Sequence, residues 1–173
     1  MRYFLSLGSN VGDRRANIAR ALAALKKAKV KVLRSSSLYR TQPVGFAAQP
    51  WFHNRVVEVS ADLEPAELLA LIKTIERALG RRPARRNRPR AIDIDILLAE
   101  GCLVKNRELS VPHPRMAERN FVLVPFLEIA PRAVHPLLKK SISELHKNTP
   151  DKSAVIKIPR KKSRPSSRES RLP

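Results

Sequence analysis

Two carboxylates set two residues apart, Asp93 and Asp95, stand in the stretch Arg90-Ala91-Ile92-Asp93-Ile94-Asp95-Ile96-Leu97-Leu98. Its β-branched density and alternation predict a strand. Side chains two apart on a strand share a face, so Asp93 and Asp95 fall together and Ile92, Ile94 and Ile96 fall on the other side. Two carboxylates on one face of an apolar strand repel each other and lose hydration unless a cation lies between them. Mg²⁺ suits such a pair, because it takes one or two carboxylates together with substrate phosphates. A strand with one solvated face accounts for the same spacing without a metal. Immediately upstream, residues 81–90 carry six arginines in ten positions. Metal and arginine together recur in phosphoryl transfer, so a polyphosphate between this segment and the strand is the chemistry the pair suggests.

The elements that must hold these groups can be read along the chain. Residues 2–7 predict a first strand, Gly8-Ser9-Asn10 a turn, and Asn10 or Asp13 a cap for a helix over 13–28. Val30 to Tyr39 predicts a second strand, and residues 40–50 a long loop rich in turn formers. Phe52 to Ala61 predicts a third strand. Glu64-Pro65 opens a second helix with the apolar stripe Leu68, Leu69, Ile72, Ile75 and Leu79, stopped by Gly80. After the Asp strand, residues 101–111 read as a hairpin, 116–119 as a helical turn, and 121–129 as a helix. The order β-α-β-β-α-β fits a ferredoxin-like α+β sandwich with an extra hairpin and C-terminal helices. Strand one then neighbours the Asp strand.

The chain has 173 residues and a formal net charge of +20, which points to anionic partners without choosing among them. Hydrophobic residues make up 43%, enough for one core. Residues 149–173 carry eight Lys or Arg against two Asp or Glu, with Pro and Ser between them. We read a folded domain over 1–148 and a basic disordered tail over 149–173. A single cysteine, Cys102, rules out an internal disulfide and fits a reducing compartment. The first strand is too short for a signal-peptide core and no stretch reads as a membrane span, so the expected location is cytoplasmic.

Five segments in order carry a family resemblance across residues 2–138. They are Leu7-Gly8-Ser9-Asn10; Ser37-Leu38-Tyr39-Arg40-Thr41 with Pro43 and Gly45; Phe52-His53-Asn54; Arg85-Arg86-Asn87 with Pro89 through Leu97; and Val111-Pro112-His113-Pro114-Arg115-Met116 with Arg119 and Phe121-Val122-Leu123. Together they resemble 6-hydroxymethyl-7,8-dihydropterin pyrophosphokinase, the folate-pathway family. The resemblance implies transfer of pyrophosphate from ATP to the hydroxymethyl group of the pterin, giving AMP. It implies two Mg²⁺ ions on Asp93 and Asp95, and Arg81 and Arg90 as catalytic phosphate contacts. It implies that His113, Arg119, Arg85 and Ile96 meet ATP. Gly8, Thr41, Pro43, Val44, Phe52, Asn54 and Phe121 would meet the pterin, with Asn54 on the ring edge and the two phenylalanines against its faces. Where many members carry Trp-Gly, this chain has Asn87-Arg88, which exchanges an aromatic for a cation.

The competing reading is a basic nucleic-acid-binding module of ferredoxin-like fold. Such a sheet presents stacking aromatics, whereas aromatic residues are 5% of this chain and the strand in question presents carboxylates. Nucleic acid is therefore expected to bind only weakly, through the tail. The expected partners are ATP and the pterin, with no membrane, and the expected state is a monomer.

Overall fold

The computed structural model describes residues 1–45, 48–81 and 89–159. The elements are β1 (Arg2–Ser9), α1 (Arg14–Lys27), β2 (Lys31–Ser35), β3 (Tyr39–Thr41), β4 (Phe52–Ser60), α2 (Pro65–Ala78), β5 (Asp93–Ala99), β6 (Val104–Lys105), β7 (Ser110–Val111), α3 (Asn120–Ile129), α4 (Ile142–Asn148) and β8 (Val155–Lys157). Among the described residues one antiparallel sheet runs β5-β1-β4-β3-β8, with β2 also paired to β4. The Asp strand thus neighbours β1, and the ferredoxin-like α+β order holds. The hairpin is the small β6–β7 pair, whose turn is closed by Asn106 Oδ1 accepting the N–H groups of Glu108 and Leu109.

Helix starts follow local chemistry. Asp13, rather than Asn10, caps α1 by accepting the Ala16 N–H at 3.0 Å. Pro65 occupies the first turn of α2, and the Glu67 carboxylate reaches back to the Glu64 N–H. The predicted single strand over 30–39 is divided. Ser36 donates its N–H to Val56 O and accepts the Val56 N–H on its hydroxyl, while Ser37 turns to Glu128 on α3. Serine groups that bond locally interrupt a ladder, so β2 ends and β3 resumes on β4 in a new register.

Two apolar layers set the faces. Ile18, Leu25, Leu68 and Ile72 pack on Leu5, Leu7, Val57, Ile94 and Ile96. On the other face Leu123, Phe126, Ile142 and Leu145 pack on Val56, Leu97 and Leu98. The Phe4 and Phe126 rings lie 4.6 Å apart between their centroids. Burying Ile94 and Ile96 pins the pleat of β5, because a one-residue slip would drive both carboxylates into the apolar layer.

The expected boundary at residue 148 is corrected. α4 is followed by residues 149–159, and β8 pairs with β3 through Tyr39↔Lys157, Arg40↔Ile156 and Thr41↔Val155. β8 itself, Val155-Ile156-Lys157 followed by the core-packed Ile158, has strand composition, but it is too short to stand out in the basic, Pro- and Ser-rich segment around it. Residues 160–173, the rest of the expected tail, lie outside the described residues. Among the described residues no helix is long and apolar enough to cross a membrane.

Candidate active site

Strand register assembles the site. Gly8 on β1 stands opposite Asp93 on β5 and Asn54 on β4, and Ser6 stands opposite Asp95 and Val56. Asp93 and Asn54 are therefore two strands apart on one face, roughly 10 Å across the sheet. The helices α3 and α4 cover the other end of that face, and a cavity of about 210 Å³ remains over this line. Ser6, Gly8, Asn54, Asp93 and Asp95 line it together with Thr41, Gln42, Val44, Gln49 and Phe52, and Arg90, His113, Arg115, Arg119 and Phe121 complete it.

At the carboxylate end, Arg90 Nη1 lies 2.6 Å from Asp93 Oδ2 and Arg81 Nη1 lies 2.8 Å from Asp93 Oδ1. Burial pushes the Asp95 carboxyl up to about 6, with the nearby charge of Asp93 adding to the effect and Arg119 opposing it. Burial, then the guanidinium groups of Arg119 and Arg115, push His113 down to about 4. Its imidazole is thus neutral at pH 7. Nδ1 accepts the Arg115 N–H at 3.1 Å, which leaves Nε2 as the N–H donor.

At the other end, Asn54 donates from Nδ2 to Thr41 Oγ1, and its amide is buried. Phe52 and Phe121 come from β4 and α3, and the Arg119 guanidinium stacks over the Phe121 ring at 5.6 Å. Three expected contacts are placed elsewhere. The Ile96 side chain is buried in the core on the opposite face of the sheet, as the alternation of β5 requires. Pro43 is buried and does not line the cavity. Arg81 reaches the site only through Asp93. Arg85, with Arg82, Arg86, Asn87 and Arg88, lies outside the described residues.

Two residues that organise the site are not given that role by the sequence, where Asn10 reads as a turn residue or helix cap. Asn10 is buried and ties both flanking loops to the end of β1. Its Oδ1 accepts the Arg90 N–H at 2.8 Å, its N–H donates to Arg90 O, and its Nδ2 donates to Gln49 Oε1 and Pro50 O. Glu76 is fully buried on α2, accepts the Ile94 N–H at 2.8 Å and pairs with Arg81. A signal was available for Glu76, since it follows Ile72 by four and sits within the apolar stripe. Replacing Glu76 with alanine would strand the Ile94 N–H and leave Arg81 with Asp93 alone. The expected cost is about 3 kcal/mol, read as a lowered midpoint in urea unfolding at unchanged slope.

Residues 4–131 match the family model described as 7,8-dihydro-6-hydroxymethylpterin-pyrophosphokinase. The 2-amino-4-hydroxy-6-hydroxymethyldihydropteridine pyrophosphokinase of Bacillus subtilis is 46% identical over 127 residues, covering 73% of this chain and 76% of that protein. The enzyme of the same name from Aquifex aeolicus is 39% identical, covering 82% and 88%. The folic acid synthesis protein FOL1 of Dictyostelium discoideum is 39% identical over 90% of this chain, which spans only 24% of that protein's length. The Plasmodium falciparum HPPK-DHPS crystal structure with pteroate shares the fold, with a TM-score of 0.66 at 19% identity over 84% of this chain and 42% of that one.

Proposed function

The chain belongs to the 7,8-dihydro-6-hydroxymethylpterin-pyrophosphokinase family, and from that membership we propose that it transfers the β,γ-pyrophosphoryl group of ATP to the hydroxymethyl oxygen of 6-hydroxymethyl-7,8-dihydropterin. The hydroxymethyl oxygen attacks the β-phosphorus, the α–β bridging bond breaks, AMP leaves, and the hydroxyl proton is released. One observation carries the reading, the register line Asp93–Gly8–Asn54. It sets a carboxylate end and an amide end about 10 Å apart on one floor, a span suited to a fused ring and the phosphorus it must reach.

The donor set suits Mg²⁺. Two hard carboxylates share the site, and among the described residues no group of three or more His, Cys, Asp or Glu side chains is placed to hold an ion. That leaves room for phosphate oxygens in the shell, as Mg²⁺ prefers. Two Mg²⁺ ions held by Asp93 and Asp95 would supply charge neutralisation of the phosphates and a lowered pKa for the attacking hydroxyl. The chain's own residues do the positioning. Arg90 and Arg119 offer forked donors to phosphate oxygens, and His113 offers Nε2–H to the nucleotide. Arg81 keeps Asp93 oriented. Asn54, steadied by Thr41, reads the polar edge of the pterin, and Phe52 and Phe121 flank its faces. Gly8 and Val44 shape the pocket around it, and Arg85 is a further phosphate contact. No protein nucleophile is required, because alignment and charge neutralisation carry the reaction. We read a cytoplasmic monomer, the single cysteine Cys102 fitting a reducing compartment.

Gly8 leaves no room for a side chain. A Cβ there would stand 2.6 Å from Asn54 Oδ1, and Asn54 cannot turn away without breaking its bond to Thr41. Gly8→Ala is expected to raise the KM for the pterin by ~10²-fold with the KM for ATP little changed. The reaction itself is tested by separating the nucleotides formed from ATP and excess Mg²⁺, with and without the pterin. Pterin-dependent AMP supports the reading, whereas ADP would make the chain a simple kinase and overturn it.

A further inference from the structure

We propose that the segment Asp151–Ile158, which lies beyond residues 4–131 of the family match, is a strap that positions the pterin end of the cavity. The inference rests on the pyrophosphokinase reading and deepens it. The strap grips two walls at once. Asp151 Oδ2 accepts the N–H of Asn120, the first residue of α3, at 2.8 Å, and Asn120 Nδ2 donates to Ser153 O at 3.0 Å. Three residues further on, Ala154 O accepts the Gln42 N–H at 3.0 Å and the Ala154 N–H donates to Gln42 Oε1 at 3.3 Å.

The residues held are those beside the cavity. Asn120 lies between Arg119 and Phe121, and Gln42 follows Thr41, the partner of Asn54. α3 has no side-chain cap of its own and no acidic residue in its first turn. Asp151 supplies both from outside the helix, an acceptor for an orphan N–H and a negative charge at the positive end of the dipole. Asp151 is itself held, its Oδ1 accepting the Ser153 N–H at 2.8 Å. β8 then closes the open edge of β3, the Ile158 N–H donates to Leu38 O, and Lys157 Nζ lies 3.2 Å from Glu128 Oε1. Glu128 also accepts the Tyr39 hydroxyl, so α3, β3 and the strap are joined at a second point. Phe121 and Thr41, on different elements, are thus bridged by this one segment in addition to the direct Glu128 bonds between α3 and β3.

A strap that only stabilised the sheet edge would change melting and leave the two substrates equally affected. A positioning strap weakens one of them. In the full chain, Asp151→Ala removes the acceptor, Asp151→Asn keeps an acceptor oxygen, and Ala154→Pro removes the N–H given to Gln42 while also fixing φ at 154 and restricting Ser153. Asp151→Ala and Ala154→Pro are each expected to raise the KM for the pterin by roughly tenfold, with kcat and the KM for ATP changed by less than about threefold. Asp151→Asn is expected to stay within about twofold of wild type. The same order is expected in direct binding of 6-hydroxymethylpterin followed by its fluorescence, at a temperature where melting shows every variant folded. An unchanged pterin KM in both Asp151→Ala and Ala154→Pro overturns the strap, as does a fall in kcat with both KM values unchanged. Wild type that makes no pterin-dependent AMP overturns the pyrophosphokinase reading instead, and the fluorescence binding still decides the strap.

Discussion

Replacing Asp95 with alanine is expected to lower pterin-dependent AMP formation by ~10³-fold or more, about 4 kcal/mol of transition-state stabilisation. The same change is expected to stabilise the protein when no metal or nucleotide is bound. Burial and the neighbouring Asp93 raise the Asp95 carboxyl from 3.8 to about 6, so its ionised form opposes folding at neutral pH. The folded state holds a proton that the unfolded state has released between those values. The Asp95 contribution to stability should therefore fall as pH rises from about 4 to 6 and level off above. It is read as the difference between wild type and Asp95→Ala, because the depressed His113 and His53 contribute the opposite slope in both proteins. Asp95→Ala removes this slope, so its melting temperature at pH 7 without metal should be at least that of wild type. Adding Mg²⁺ with ATP should raise the wild-type melting temperature and leave the variant's nearly unmoved. Lost activity together with equal or greater stability separates a missing ligand from a damaged fold. A variant that keeps more than about a tenth of wild-type turnover would remove Asp95 from the chemistry.

Arg90→Ala is expected to lower kcat/KM for AMP formation by ~10²–10³-fold, the usual cost of one donor aimed at developing charge. The backbone of Arg90 is held at both its N–H and its carbonyl by Asn10, and its guanidinium lies against Asp93 at 2.6 Å. The chain thus delivers a forked cation to the edge of the carboxylate pair, where a polyphosphate would lie. Arg90→Lys keeps the charge and loses the fork, so it should recover no more than about tenfold of the loss. A fall of less than about threefold in Arg90→Ala would reduce Arg90 to a counter-charge for Asp93. Steady-state kinetics at saturating Mg²⁺ decides between these outcomes, because the counter-charge role is then taken by the metal.

Much of this arrangement was legible before any tertiary contact was known, where a local period carried it. The alternation of residues 92–96 already separated Asp93 and Asp95 from Ile94 and Ile96, and the core confirms the side taken by the isoleucines. The stripe of α2 and the Pro65 start were equally local. Ser36 and Ser37 were harder. Their hydroxyl and backbone groups go to Val56 and Glu128, so a strand that reads as continuous is divided by partners distant in sequence.

What the sequence by itself determined is therefore the set of faces and the chemistry carried on each. Period and residue type are properties of a few consecutive residues, and they placed two carboxylates on one strand face behind an arginine-rich segment. Tertiary structure alone decided which distant residues share the floor. Gly8 meets both Asp93 and Asn54 only because β1 pairs with β5 and β4 in one register. Asn10 became a tie between two loops rather than a helix cap because Asp13 took the cap and left its amide to Arg90 and Gln49. The segment 151–158 became part of the sheet through backbone bonds, two polar grips and the packing of Ile158 on the core. Its short run Val155-Ile156-Lys157-Ile158 was masked by the basic, Pro- and Ser-rich composition of the residues around it.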